Sequence, residues 1–456
     1  MLARRVNPVH PRTTPLARSL ALACGLACTA NALAATPEPH GGANIVVQNC
    51  DDDGSGSLRE AVRDLAVSGD TIDLRSLSCS TITLTSGAIA VDLDDLTVLG
   101  PPRRIAVSGH RQSPVVVHLG HGTLAFHDVA ITAGRRYVED APARGGCLYS
   151  QGDVLLDDVT LSDCVAGSPQ AAAGGGLFVA GDLVLLNSVV TGAQAITGSG
   201  GASGGGARVG GHLTAKYSAF TYNSTGATEA SGVSTCGAAA AANATLVGSS
   251  IVGNSAAYFG GLCAEDANAS APLRVSNSTI ADNLSRGTAP STGGTGLDAR
   301  GALTVSNSTI AHNLQAAAGD GVGLYARTGA SIESSIVAGN ASDSGAQPAD
   351  LAGGPGASVA GSHNLIRAST LPLPPDTLDA DPRLRAVAVF PGGRPTAYVR
   401  APREDSPAID AGSNPLGLVY DQRGAPNVRV SGPAADIGAV ELDHDTIFAD
   451  GFDVDG

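Results

Sequence analysis

The phrases FHDVAI, LDDVTL, LNSVVT, KYSAFT, VSNSTI (twice) and ESSIVA recur along this chain and carry an apolar column with them. Ile131, Leu161, Val190, Phe220, Ile251, Ile280, Ile310 and Val337 follow one another at steps of 27–31 residues. A second column runs Phe126, Leu156, Leu185, Ala215, Leu246, Val275, Val305, Ile332. A third lies two residues before it, from Leu124 and Val154 through Leu183, Leu213, Ala244, Leu273 and Leu303 to Ala330. A spacing of two is strand periodicity, so each repeat reads strand, corner, strand. With no amphipathic helix between repeats, such a chain suits a coil that climbs one strand spacing per turn and stacks each column into an interior ladder. Propeller blades need four strands in about 40–45 residues and a Trp-Asp signature, neither of which is present. The expected fold class is all-β, a right-handed parallel β-helix: a solenoid of about eight turns of roughly 30 residues with an N-terminal capping helix.

Composition agrees with frequent turning. The 456 residues hold 60 Gly and 25 Pro, yet 43% are hydrophobic. The net charge is −15 and Lys216 is the one lysine, so no basic patch of the kind that binds nucleic acid is visible.

Arg4, Arg5, Arg12 and Arg18 precede the apolar run LALACGLACTA, and Ala32–Ala34 offers small residues for cleavage, so residues 1–34 read as an export signal. Its removal takes four arginines and no acid, moving the net charge from −15 to −19. No later stretch is long and apolar enough to cross a membrane. The expected organisation is 1–34 signal peptide, 35–110 N-terminal cap and first turns, 111–370 repeats, 371–441 C-terminal segment and 442–456 tail. The expected location is outside the cell or on the outer surface of a Gram-negative bacterium. Beyond the signal remain Cys50, Cys79, Cys147, Cys164, Cys236 and Cys263, an even set in an exported chain. Each successive pair lies within about one repeat, which favours sequential disulfide pairing.

Three residues after the first column stand Asn223, Asn254, Asn283, Asn313 and Asn340. They read as corner residues that tolerate left-handed backbone and bond amide to amide, rather than as glycosylation sites. The glycine-rich stretches that follow are expected to emerge along one edge of the solenoid.

In CDDDGSGSLREAV, Cys50 to Val62, Ser57 and Glu60 form a capping box. Leu58, Ala61, Val62, Leu65 and Ala66 fall on one helical face and Gly69 offers a left-handed stop, giving a short helix that lids the first turn. Asp51 and Asp53 imitate the first half of a calcium loop, but its twelfth position is Val62. Calcium is therefore the weaker reading and no cofactor is expected.

GSLREAV, SGDTIDL and CSTITLTSGAI resemble the N-terminal cap of secreted bacterial β-helix proteins of the CSLREA type. SPAIDAGSN, DQRGAP and DIGAVE, between Ser406 and Glu441, resemble the C-terminal segment of choice-of-anchor Q proteins. The GGG-L phrases and Phe220 to Asn223 are similar to polymorphic outer-membrane protein repeats. The resemblance implies an exported pectin-lyase-like β-helix and supplies no catalytic residues.

Catalysis on a β-helix would need paired carboxylates and sugar-stacking rings. Asp128 and Asp158 share a column one turn apart, near the spacing of a retaining glycosidase pair, with Asp157 and Asp163 close by in sequence. That column marks a corner, the loops Val165 to Gly176 and Thr191 to Gly206 carry no charge, and Trp is absent. His127, His212 and His312 are scattered and read as surface histidines. The expected function is non-catalytic adhesion, matrix association or ligand binding through edge loops, with Tyr217, Phe220, Tyr222 and Tyr258 as an aromatic patch. The partner would be a polysaccharide, a matrix component or a cell-surface ligand. The alternative is a polysaccharide lyase or glycoside hydrolase acting on an acidic polysaccharide.

Overall fold

Leu161 pairs with Ile131 on one side and Val190 on the other in the computed structural model, and every step of the three columns except Ala244 to Leu273 is a parallel ladder pair. The structure describes residues 42–443 except 230–232, 266–271, 288–292, 317–321, 343–348 and 390–392. The expected signal peptide and nearly all of the expected tail lie outside the described residues. The fold is a right-handed parallel β-helix of about ten turns.

Each turn contributes strands to three faces. Face I includes Thr123–His127 and Asp153–Asp157, face II Val129–Thr132 and Thr160–Ser162, and face III Leu148–Ser150 and Leu177–Val179. The faces hold 12, 11 and 10 strands respectively. The sequence columns show faces I and II over eight turns; the solenoid begins earlier and has a third face. Ile72 pairs with Val98 and Val98 with Phe126, while Ile82 pairs with Val107 and Val107 with Ile131. These first turns are only 24–28 residues long, which hides them from a search at period 30. Face III is obscured because its core column passes through Ala207 and Ala239, just after glycines.

Two inward-facing polar ladders line the core. Asn223, Asn254, Asn283 and Asn313 each donate from Nδ2 to the Oδ1 of the next asparagine at 2.8–3.0 Å. Asn340 closes the row by donating to Asp350 at 2.9 Å. Each Nδ2 also reaches a carbonyl of the preceding turn, such as Ile251 O from Asn283 at 2.9 Å. All five asparagines are buried, so no glycan can be attached to them. The left-handed residue at this corner is not the asparagine but the one before it: Tyr222, Gly253, Asp282, His312 or Gly339. At the other corner, the amides of Val159, Ser188, Ser218, Ser249, Ser278 and Ser308 each donate to a serine hydroxyl one turn on. A buried backbone amide must be paired, and these ladders supply partners where the chain bends out of its sheets.

The disulfides pair sequentially, Cys50–Cys79, Cys147–Cys164 and Cys236–Cys263, with Cα–Cα distances of 6.5, 5.3 and 5.7 Å. Cys164 precedes Ala193 and Asn223 in the asparagine column, so this bridge occupies the slot the amide ladder fills further along.

Ser57 caps the helix Leu58–Glu60, its Oγ accepting from Glu60 N at 3.1 Å. Glu60 reaches back to Gly56 N rather than to Ser57 N. The chain continues as a π-helical turn, Ala61–Leu65. The wider turn rotates Leu65 off the buried face of Leu58, Ala61 and Val62, leaving it 56% exposed.

The C-terminal segment folds back along the outer side of face II. Ser250 Oγ accepts from Tyr398 N at 3.0 Å, Gln422 Nε2 donates to Ser249 O at 3.0 Å, and Thr309 Oγ1 accepts from Ala439 N at 3.1 Å. The segments DQRG and DIGAVE form a buried polar knot within it. Glu441 accepts from Ser431 N and Asp436 N, Asp421 accepts from Glu441 N, and Arg423 pairs with Asp421 at 2.7 Å. Arg429 is fully buried, donates to the carbonyl of Asp436, and sits in the field of Glu441, Asp421 and Asp436. Burial pushes Glu441 up to about 7 and raises Asp421 and Asp436 as well.

Candidate functional site

The first candidate is the corner between faces I and II. Asp128 and Asp158 hold left-handed backbone there, at φ 55° and 57°, in a column with Arg104 before them and Asn187 after. Aspartate tolerates that conformation better than most residues, which accounts for its presence without reference to catalysis. The Arg104 guanidinium pairs with the Asp158 carboxylate and also reaches the Thr160 hydroxyl at 3.3 Å. Burial, then the charge of Asp158, raises the Asp128 carboxyl, with Arg104 pulling the other way. Asp157 joins this neighbourhood from face I, where it contacts His127 at 3.3 Å. Asp163 does not. It sits at the far end of the strand Thr160–Ser162, five residues from Asp158 and roughly 16 Å away along an extended chain.

The remaining sequence candidates disperse. Phe220 is a core residue, 1% exposed, while Tyr217 stands at the I–II corner and Tyr222 at the opposite end of the intervening strand. Tyr258 packs beside Phe259, ring centres 6.4 Å apart, and among the described residues the four rings do not gather into one patch. At the cap, Asp53 accepts from Gly54 N at 2.8 Å and pairs with Arg63, and the aspartate that anchors the loop is Asp52. Asp52 pairs with Arg59 at 2.6 Å and accepts from Thr85 N and Ser86 N. Among the described residues no group of three or more His, Cys, Asp or Glu is placed to hold a metal ion.

The second candidate escaped the sequence reading. Between faces II and III the turns bulge into a ledge of two short sheets, one starting with Arg135–Tyr137 and Val165–Ser168, the other with Ala143–Arg144 and Ala171–Ala173. Buried Ala172, Ala195 and Ala202 pack between them. The first strand of each sheet comes from the loop GRRYVEDAPARGG and carries Arg135, Arg136, Tyr137 and Arg144. Arg136 lies 5.4 Å from the ring centre of Tyr149, and Arg144 5.1 Å from that of Phe178. Those two rings occupy one register position of face III in consecutive turns and stack at 5.6 Å with a 12° interplanar angle. Arg135 stands 5.9 Å from Tyr137. None of Arg135, Arg136 and Arg144 has an ion-pair partner among the described residues, whereas Arg59, Arg75, Arg208, Arg400 and Arg423 each contact a carboxylate. The signal was legible: this loop holds the charges that the two following loops lack.

No family model matches the chain, and no curated protein matches it. Among solved structures, a chain titled "Crystal structure of pectate lyase Pel9A" aligns at 13% identity and a TM-score of 0.43, covering 88% of this chain and 96% of that one.

Proposed function

We propose that the protein is an exported β-helix of the CSLREA and choice-of-anchor Q type that binds a polysaccharide, matrix or cell-surface ligand along its ledge without turning it over. The observation that carries this reading is the ledge itself, where arginines without a carboxylate partner among the described residues interleave with exposed and stacked rings in an otherwise acidic chain. Three disulfides suit an oxidising compartment, and a Gram-negative surface fits the expected signal peptide. The cap around Ser57 and the polar knot of DQRG and DIGAVE give structural roles to the segments that carry the resemblance.

A second reading, a lyase or hydrolase of acidic polysaccharides, draws on the neighbouring carboxyls of Asp128, which burial raises, and Asp158, which contacts the Arg104 guanidinium. The test exposes the exported protein to polygalacturonate and alginate with and without calcium. Retention on polymer or cells with no release of product is expected. Product formation that disappears in Asp128→Ala or Asp158→Ala contradicts the binding reading and favours the enzyme.

A further inference from the structure

We infer that the ligand of the ledge is a carboxylated glycan, and that its binding groove runs across the outward side of the first ledge sheet. This rests on the ledge being the binding face. The groove encloses about 270 Å³ and is bordered by Arg135, Arg136 and Tyr137 at one end and by Glu229 at the other. Along its floor, Gly167 and Ile196 share one register. The Tyr137 ring lies against Gly167, where an added Cβ would come within 3.1 Å of it. Thr228, exposed beside Glu229, borders the other end.

The chemistry of the walls selects the ligand. Guanidinium groups present a planar fork that matches a carboxylate, and the face of Tyr137 suits the apolar side of a sugar ring. Glu229 repels negative charge at its end and accepts from hydroxyls, so a saccharide would lie with its carboxylate toward Arg135, which stands beside Tyr137, while Arg136 turns to Tyr149. Arg135 also occupies the outermost strand of the ledge, where charge discourages pairing with another chain.

The test is affinity electrophoresis of the full-length exported protein with polygalacturonate, its fully methyl-esterified form and dextran sulfate. Retardation is expected with polygalacturonate and little with the ester. Arg135→Gln should weaken binding by about tenfold or more, since charge-assisted hydrogen bonds are lost. Thr228→Tyr should abolish it by filling the groove from an exposed position, and Arg63→Gln at the cap should leave it unchanged. Binding that is lost in Thr228→Tyr but indifferent to esterification, or strongest for dextran sulfate, would overturn the carboxylate assignment while keeping the ledge as the binding face. Glycan binding unaffected by both groove changes would overturn the site. No binding to any glycan or to cells would overturn the function as well.

Discussion

The turns before Tyr217 and those after it solve the same problem, bending a stacked coil, with different chemistry. In the early turns, the corner slot between face II and the ledge holds the Cys147–Cys164 bridge and then Ala193, and Thr132, Ser162 and Thr191 remain part-exposed on face II. In the later turns, the same slot holds the asparagine ladder, and Ser250, Thr279 and Thr309 are buried beneath the C-terminal segment. A covalent staple leaves the outside of the early turns free of structural duty, and the arginine-bearing first strands of the ledge are built there, while its first sheet continues to Ala341–Ser342. The later turns exchange free surface for a satisfied polar interior.

Breaking the amide ladder should have the largest effect. Asn283→Ala removes bonds to Ile251 O, Asn313 and Asn254, and leaves buried partners unpaired, which should cost about 3–5 kcal/mol in denaturant unfolding. A loss below 1 kcal/mol would mean that the ladder is ornamental and the two halves do not differ in the way described.

Removing the staple ranks next. Cys147→Ala/Cys164→Ala should cost about 2–4 kcal/mol. The comparison sharpens with Cys147→Ala/Cys164→Asn, because an asparagine in this slot could accept from Gly134 N and donate to Ile131 O as Asn223 does to Val190 O. It should recover about 1 kcal/mol relative to the alanine pair. Equal stability of the two variants would show that the slots are not equivalent.

The two ends should also respond to pH with opposite sign. Glu441 is pushed by burial from 4.5 to about 7, so its protonated form is favoured in the folded state. Its contribution is complete below the unfolded value and fades as pH rises toward 7, by about 3 kcal/mol in the extreme. Asp421 and Asp436, raised by burial, act in the same direction. At the cap, hydrogen bonding to Arg75 holds Asp73 down at about 2, and that contribution is present above the usual carboxylate range and lost as pH falls from about 4 through 2. Hydrogen exchange, corrected for the intrinsic rate, should show the C-terminal segment less protected at pH 8 than at pH 5 and the cap loosening below pH 4. Uniform behaviour of both ends would contradict the assignment. The smallest effect belongs to Arg63→Gln, whose exposed contacts with Asp53 and Asp64 should leave the thermal unfolding midpoint unchanged.

What the sequence disclosed follows from what repeats. The aliphatic columns are legible because a core that stacks on itself needs the same bulk at each turn, and the asparagine row because its partner is its own copy. The serine ladder was equally present, in the serine of NST and in Ser249 and Ser335 of the two SSI phrases, but a small polar residue in a corner reads as solvated unless its amide partner one turn away is considered. Face III hid behind Ala207 and Ala239, where neighbouring turns supply the bulk. The burial of Arg429, Asp421 and Glu441 could not be read from polarity, since charged residues are ordinarily exposed and only their mutual pairing reverses that. At the candidate site, attention to repeated loops favoured the uncharged ones; Arg135, Arg136 and Tyr137 occur once, in the first ledge turn, and so break the very pattern that organised the reading.

The most direct measurement is hydrogen exchange of the full-length protein with and without polygalacturonate. Added protection confined to the ledge strands around 135–144, 165–168 and 194–197, with the turns beneath the C-terminal segment unchanged, is the predicted result. Protection centred on the Asp128–Asp158 corner, or spread evenly over both halves, would contradict the division of labour between the stapled and the laddered turns.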